Sequence, residues 1–274
     1  MKIKQMLEKV KSELTGAGIT DSAESEWLVA LTLKIRRSEV YSLGERELTA
    51  KEQENIEANL EKRKKHVPLA YIVGDAEFYG INFVVNENVL IPRPETEEVV
   101  EFALKHINKT SKVLDIGTGS GAIAVTVAKK TNAQVTAVDI SEKALEVARK
   151  NAKNNDVDIE FLQSDVFSAL ETRKFDVIIS NPPYISESEY QTLMPEVKNF
   201  EPKLALVAKE DGLKIYKQII NDAPKHLKRN GAVVFEIGYS QGKQIQNLLE
   251  KDFKEIKILK DLQGNDRIAF ARLK

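Results

Sequence analysis

Residues 113–125 read VLDIGTGSGAIAV. A short apolar run enters a loop with glycine at 117, 119 and 121, and a helix-favouring run opens at Ala122. Glycines let a backbone turn tightly and approach a ligand, and the free N–H groups at a helix start can receive that ligand's polar end. Asp139 closes the next apolar run, 18 residues past Gly121, where a carboxylate can accept hydrogen bonds from a ribose diol. This is the opening of an α/β nucleotide-binding unit. Taken literally, Gly117-x-Gly119-x-x-Ala122 also fits the dinucleotide fingerprint, so an NAD-dependent oxidoreductase competes here, as does a plain tight turn.

Outward from this unit the pattern repeats. Apolar runs at 113–116, 135–138, 159–162, 177–180 and 233–237 alternate with helical stretches, which predicts a mainly parallel sheet wrapped by helices. Residues 256–259 and 267–271 predict a closing antiparallel pair. A helix is expected from Glu95 to about residue 107, Pro94 suiting its first position. Upstream, Ile3, Met6, Leu7, Val10 and Leu14 recur at helical spacing. Asp21-x-x-Glu24 and Thr49-x-x-Glu52 both have capping-box spacing. Trp27 falls on an apolar stripe with Leu28 and Leu31 and is expected in the core. From Leu69 to Val85, β-branched and aromatic residues around Tyr79-Gly80 suggest a hairpin. The expected organisation is a helical domain over 1–68, a β-hairpin linker over 69–87 and a Rossmann-like sheet domain over 88–274.

Composition narrows the chemistry. The chain has 274 residues, no cysteine and a formal net charge of −1. Disulfides, thiolate nucleophiles and Cys-ligated metals are excluded, and a reducing, cytoplasmic setting is expected. The first ten residues contain no apolar signal core, and nowhere do 18 apolar residues follow one another, so neither export nor membrane insertion is expected. Over residues 1–85, 13 Lys and Arg face 14 Asp and Glu, which offers no basic module for nucleic acid. The basic run 62–66 reads as a solvated helix end. His66, His106 and His226 share no ligand spacing and sit near expected helix ends, in solvated positions; no metal is expected.

The fourth strand, FDVIIS, runs directly into Asn181-Pro182-Pro183-Tyr184 at its carboxyl end, the side where open α/β sheets bind ligands. Two prolines stiffen the loop and remove two N–H donors, leaving a rim of acceptors. The Asn181 side-chain carbonyl, the Pro182 backbone carbonyl and the Tyr184 ring together suit a flat group bearing an NH₂. An amide or exocyclic nitrogen is a poor nucleophile, because its lone pair is delocalised. Fixed acceptors for both its hydrogens orient that lone pair toward a sulfonium methyl. A dehydrogenase has no use for such a trio. A stiff turn ending the strand is the bland alternative.

The chain resembles the HemK/PrmC release factor glutamine methyltransferases. The resemblance runs along nearly the whole sequence, in LIPRPETE (90–97), DIGTGSGAIA (115–124), AVDIS (137–141), QSDVF (163–167), SNPPYI (180–185), FEPKLAL (200–206), FEIG (235–238) and GNDR (264–267). It implies a Rossmann-like class I methyltransferase sheet using S-adenosylmethionine. The substrate it implies is the Gly-Gly-Gln glutamine of class-I peptide chain release factors, methylated on its side-chain nitrogen. Carried over by match, Gly117, Thr118, Gly119, Ser120, Gly121 and Asp139 hold the cofactor, with Val166 and Asn181 beside it. Asn181, Pro182, Pro183 and Tyr184 grip the glutamine amide, with Asn181, Pro182 and Tyr184 in catalytic roles. One departure stands out: Val166 occupies a position where the family often has tryptophan, so adenine packing there is expected either to be weaker or to be supplied by a neighbour such as Phe167. Arg93 and Glu95 are expected either to shape the entrance or to join the domains, and Glu201-Pro202 to form a structured loop. The helical domain is expected to recognise the substrate, and the protein to act as a cytoplasmic monomer with no stable nucleic-acid partner. The alternative is an NPPY methyltransferase acting on an exocyclic amino group of DNA or RNA; a nucleotide-binding module without catalysis is a further one.

Overall fold

Apolar runs buried on both faces pair most readily as parallel strands, and the sheet is built that way. In the computed structural model, which describes residues 1–209 and 212–274 (Ser22 by its backbone alone), nine strands form. They are β1 (Asp75–Phe78), β2 (Ile81–Val84), β3 (Lys112–Ile116), β4 (Gln134–Asp139), β5 (Glu160–Gln163), β6 (Phe175–Ser180), β7 (Leu227–Glu236), β8 (Phe253–Lys260) and β9 (Asp266–Leu273). Seven make one sheet in the order β5-β4-β3-β6-β7-β9-β8, parallel from β5 to β7 and closed by the antiparallel strands β9 and β8.

The strand order reverses between β3 and β6, and that reversal positions the site. Ile116 pairs in register with Ser180, and the Ser180 hydroxyl donates to the Ile116 carbonyl at 2.7 Å. The loops that begin at Gly117 and Asn181 therefore leave the sheet side by side, at a topological switch point. Helices Pro94–Leu104 and Ala122–Thr131 cover one face, burying Val99, Val100, Ala124 and Val125, while Lys214–His226 and Gly242–Leu249 bury Ile219, Ile220, Ile245 and Leu249 in the other core.

The chain forms two compact units. One comprises Met1–Gly74 with Met194–Phe200, the other Asp75–Leu193 with Glu201–Lys274. In the first, helices Ile3–Gly16, Ser22–Leu33 and Ala50–Lys64 enclose Ile3, Met6, Val10, Leu14, Leu28, Ile56 and Leu60. Thr49 and Glu52 form the expected capping box. Asp21 and Glu24 do not: Asp21 accepts from the Ala23 N–H, but the Glu24 carboxylate is taken by Arg63 at 3.0 Å and does not reach back.

Arg63 also corrects the solvated reading of the basic run. It is buried, and it pairs with Glu196 at 2.6 Å as well as with Glu24, since a buried guanidinium requires such partners. Trp27 is not core: it is 42% exposed, its ring covered by the Arg37 guanidinium at 5.4 Å, while Leu28, Val29 and Ala30 take the buried face. Of the histidines, His226 is buried and stacks on Phe167, and His106 packs between Phe102 and Phe270, so helix ends facing inward replace the solvated positions expected for both.

Residues Leu69–Val73 are helical, so the hairpin begins only at Asp75. Its two-residue turn has positive φ at both Tyr79 (53°) and Gly80 (70°), the twist that matches paired strands. Phe78, Ile81 and Phe83 enter the core of the sheet unit, and Asn151 fixes the Val84 N–H and carbonyl. Among the described residues no helix is long and apolar enough to cross a membrane.

Candidate active site

The loop after β3 is held by its own neighbourhood. The N–H groups of Gly117 and Thr118 both donate to the Val138 carbonyl, at 2.8 and 3.0 Å, which ties the loop to β4. The Gly119 N–H donates to Asp139 Oδ2 and the Ser141 N–H to Asp139 Oδ1, both at 2.9 Å. Burial raises the Asp139 carboxyl above the usual range, and these backbone donors oppose the shift. Gly121 is at φ +82°, a conformation that strains any side chain, and a Cβ there would lie a tight 3.2 Å from Ala148 Cβ, so the loop packs closely on the helix Glu142–Asn154.

Behind the loop lies Asp115, quoted in the motif but given no role by sequence reasoning. It is fully buried, which pushes its carboxyl up to about 7, and it accepts from the Thr118 hydroxyl at 2.7 Å.

A cavity of about 220 Å³ lies over the switch point. Its lining brings together Gly117, Thr118, Gly119, Ser120, Asp139, Val166, Asn181, Pro182 and Pro183. Gly121 and Tyr184 lie outside that lining. One end is a carboxylate beside the apolar side chains of Ile140 and Val166, the middle is loop backbone, and the far end is the Asn181-Pro182 acceptor rim. That donor set fits a nucleoside whose ribose meets Asp139, whose flat base meets apolar side chains, and whose attached chain extends toward Asn181. Phe167 does not take the place suggested for adenine packing, because it stacks on His226 at 4.4 Å and belongs to the core. Val166 itself sits at φ +51°, a costly conformation for a β-branched residue.

The loop after β6 is held from afar. Asn181 Nδ2 donates to Thr96 Oγ1 at 3.2 Å, and the Thr96 hydroxyl donates to Glu236 Oε2 at 2.6 Å. The Tyr184 hydroxyl reaches Glu236 Oε1 at 3.5 Å, and Gln241 Nε2 donates to the Tyr184 carbonyl at 3.1 Å. Burial raises the Glu236 carboxyl, opposed by the Thr96 hydrogen bond and the charge of Arg267. The Tyr184 phenol is pushed up to about 12, by burial first and then by the charge of Glu236. Arg267 is itself paired with Asp261 at 3.2 Å. Arg93 pairs with buried Glu201 at 2.5 Å, holding the segment from which Pro202, Leu204 and Ala205 line the cavity. Glu95 is half-buried and adds negative charge near Glu236.

Sequence reasoning missed Thr96, Glu236, Gln241 and Gly212. The first two lay inside quoted motifs, IPRPETE and FEIG, and a buried acid at a strand end was the available signal. Gly212 carried none.

A seven-stranded sheet in this order, with a glycine loop and an NPPY rim meeting at its switch point, defines a Rossmann-like class I methyltransferase. Residues 95–198 match the methyltransferase small domain and residues 5–74 the PrmC N-terminal domain. Among solved structures, a methyltransferase from Pyrococcus furiosus is similar at TM-score 0.55 and 21% identity, covering 82% of this chain and 99% of that one. A Thermus thermophilus 16S rRNA N2 G1207 methyltransferase, solved with AdoMet and guanosine, is similar at TM-score 0.54 and 20% identity over 73% of this chain and 50% of that one. These likenesses carry the fold alone. The release factor glutamine methyltransferase of Streptococcus pneumoniae is 42% identical over 98% of this chain and 97% of its own length. That of Enterococcus faecalis is 45% identical over 82% and 83%. The chain belongs to the release factor glutamine methyltransferase family.

Proposed function

We propose that this protein transfers the methyl group of S-adenosylmethionine to the side-chain amide nitrogen of the glutamine in the Gly-Gly-Gln motif of class-I peptide chain release factors. The observation that carries the reading is the Ile116–Ser180 register, which sets the glycine loop and the Asn181-Pro182 rim on one cavity. Family membership supports the substrate.

Asp139, the Gly117–Ser120 backbone and the Val166 end would hold the cofactor, which when bound supplies an electrophilic sulfonium methyl, while Gly121 seats the loop on the helix Glu142–Asn154. Asn181 Oδ1 and the Pro182 carbonyl accept the two hydrogens of the glutamine amide, orienting its nitrogen lone pair toward that methyl. Asn181 Oδ1 and the Pro182 carbonyl hold the amide nitrogen in line as the N–C bond forms, with the S–C electron pair returning to sulfur and one amide proton passing to solvent. Positioning accounts for most of the acceleration, since oriented reactants recover on the order of 7–11 kcal/mol in good intramolecular cases.

A glutamine side chain offers few atoms, so choosing one glutamine requires contacts away from the rim. The helical N-terminal unit supplies them in this reading. Trp27 and Tyr41, 42% and 64% exposed on that unit, are the kind of aromatic anchors a protein partner engages. The enzyme acts as a cytoplasmic monomer without a stable nucleic-acid partner.

The test is methylation by the full chain of an intact release factor, of a Gly-Gly-Gln peptide and of cellular RNA, with radiolabelled S-adenosylmethionine. Label is expected in the two protein substrates. Label in RNA alone would overturn the reading. Trp27→Ala with Tyr41→Ala should raise KM for the intact factor about tenfold or more and leave the peptide unaffected; equal effects on both would remove the helical unit from recognition.

A further inference from the structure

The Asn181 side chain is nearly symmetric in shape and opposite in chemistry at its two ends, since the amide oxygen accepts and the amide nitrogen donates. Only one of its two seatings serves a substrate NH₂. With Nδ2 toward the cavity, donors would face donors. Something in the protein must choose.

The chooser is Thr96. A hydroxyl carries one proton, and that of Thr96 is given to Glu236 Oε2 at 2.6 Å. What Thr96 then shows to Asn181 is a lone pair, and Asn181 Nδ2 lies 3.2 Å from it. Asn181 Oδ1, which makes no protein hydrogen bond among the described residues, is left for the cavity that Asn181 lines. Glu236 is 2% exposed, at the end of β7, and Thr96 is 5% exposed, in the first turn of the helix Pro94–Leu104. Burial keeps water from substituting for either partner.

We infer that Thr96 and Glu236 are positioning residues which lock the Asn181 amide with its oxygen outward, and thereby make the site select a carboxamide over a carboxylate. This rests on the proposed reading of Asn181 as the acceptor for the glutamine NH₂. A glutamate in the glutamine's place presents two acceptor oxygens and no donor. Against Asn181 Oδ1 it gains nothing and meets lone pair on lone pair. A free Asn181 could turn and offer its NH₂ to the carboxylate. The commitment of the Thr96 proton to Glu236 forbids that turn. The Pro182 carbonyl is backbone and cannot turn, so releasing Asn181 relaxes the selection only in part.

The test uses the full chain and two short peptides, Gly-Gly-Gln as methyl acceptor and Gly-Gly-Glu as its competitor. In the wild type the glutamate peptide should inhibit with a constant about tenfold or more above the KM of the glutamine peptide, the scale of one hydrogen bond to a charged group. Thr96→Val removes the lone pair at nearly constant shape. It should lower kcat on the glutamine peptide about tenfold and shrink the ratio between the peptides by a similar factor, with S-adenosylmethionine affinity unchanged. Thr96→Ser keeps the hydroxyl and should restore both. Glu236→Gln, which can turn its own amide toward Thr96 and free the Thr96 proton for Asn181, should shrink the ratio as well.

Equal binding of the two peptides by the wild type overturns the inference whatever the variants do. So does a Thr96→Val enzyme that loses turnover with its ratio intact, or a Thr96→Ser enzyme no better than Thr96→Val. If Thr96→Val fails to bind cofactor and so to fold, the wild-type ratio and Glu236→Gln decide. A wild type that methylates neither the glutamine peptide nor an intact release factor refutes the substrate reading, and the role of Thr96 with it.

Discussion

The two loops that leave β3 and β6 stand side by side and are held in opposite ways. The glycine loop is tied to backbone nearby, Gly117 and Thr118 to Val138 and Gly119 to Asp139. The NPPY rim is tied by side chains: Thr96 is 85 residues from Asn181, and Gln241 is 57 from Tyr184. A loop held by its own backbone depends on φ and ψ, whereas a rim held by distant side chains depends on each of them being in place. The first should tolerate single changes in its surroundings, and the second should not.

The largest contrast is between two glycines that both have positive φ. At Gly212 a Cβ would lie 2.1 Å from the Tyr184 carbonyl oxygen and 2.5 Å from Gln241 Nε2, so Gly212→Ala forces the rim to move. At Gly117 a Cβ meets nothing within 4 Å and only the left-handed backbone resists. We expect Gly212→Ala to cost more than about 3 kcal/mol of stability, with turnover lost, and Gly117→Ala about 1–2 kcal/mol. Denaturant unfolding checks both. Equal losses would mean that the rim can yield.

Next comes Asn181→Ala. Removing one preorganised electrostatic partner should cut turnover about 10²-fold or more, with S-adenosylmethionine affinity changed far less. Near-normal turnover in single-turnover assays would remove Asn181 as an acceptor. On the other loop, Asp139→Ala should weaken S-adenosylmethionine by about 1.5–3 kcal/mol in calorimetry and leave saturated turnover close to normal. An unchanged affinity in the folded variant would take Asp139 out of the cofactor site.

The same contrast explains what could be read in advance. The glycine loop, Asp139 and the strand-to-NPPY junction are legible because strand, turn and acid follow within a few tens of residues and obey local geometry. The mainly parallel sheet and its closing antiparallel pair were implied by alternation, whereas the strand order came only with the structure. Thr96 and Glu236 meet across 140 residues, and no local periodicity announces a hydroxyl aimed at a carboxylate. Trp27 misled for a related reason: it lies beside the apolar stripe of its helix, and the cation that covers its ring comes from Arg37, past the helix end. Arg63 misled because Glu196, one of its two partners, is 133 residues further along (196 − 63).

The smallest effect belongs to the Tyr184 hydroxyl, and it separates the ring of that residue from its oxygen. The hydroxyl is 3.5 Å from Glu236 Oε1, at the far edge of hydrogen-bond range, while Glu236 already has the Thr96 proton at 2.6 Å. Such a contact contributes about 0.5 kcal/mol or less. Burial and the charge of Glu236 push the phenol up to about 12, so it keeps its proton throughout the range in which an enzyme assay is run. We therefore expect neither its oxygen nor its proton to take part in the chemistry. The ring packs against the apolar cluster that contains Tyr216 and Phe235, and its backbone carbonyl is held by Gln241, both of which survive in phenylalanine. Tyr184→Phe should retain turnover within about threefold, the rate equivalent of such a weak contact, and its pH–rate profile should overlay that of the wild type from about pH 6 to 9. Tyr184→Ala, which removes the ring, should lose far more. An alkaline limb present in the wild type and missing from Tyr184→Phe would show that the phenol carries a proton in the reaction, and would make the rim chemically active where its geometry makes it a holder.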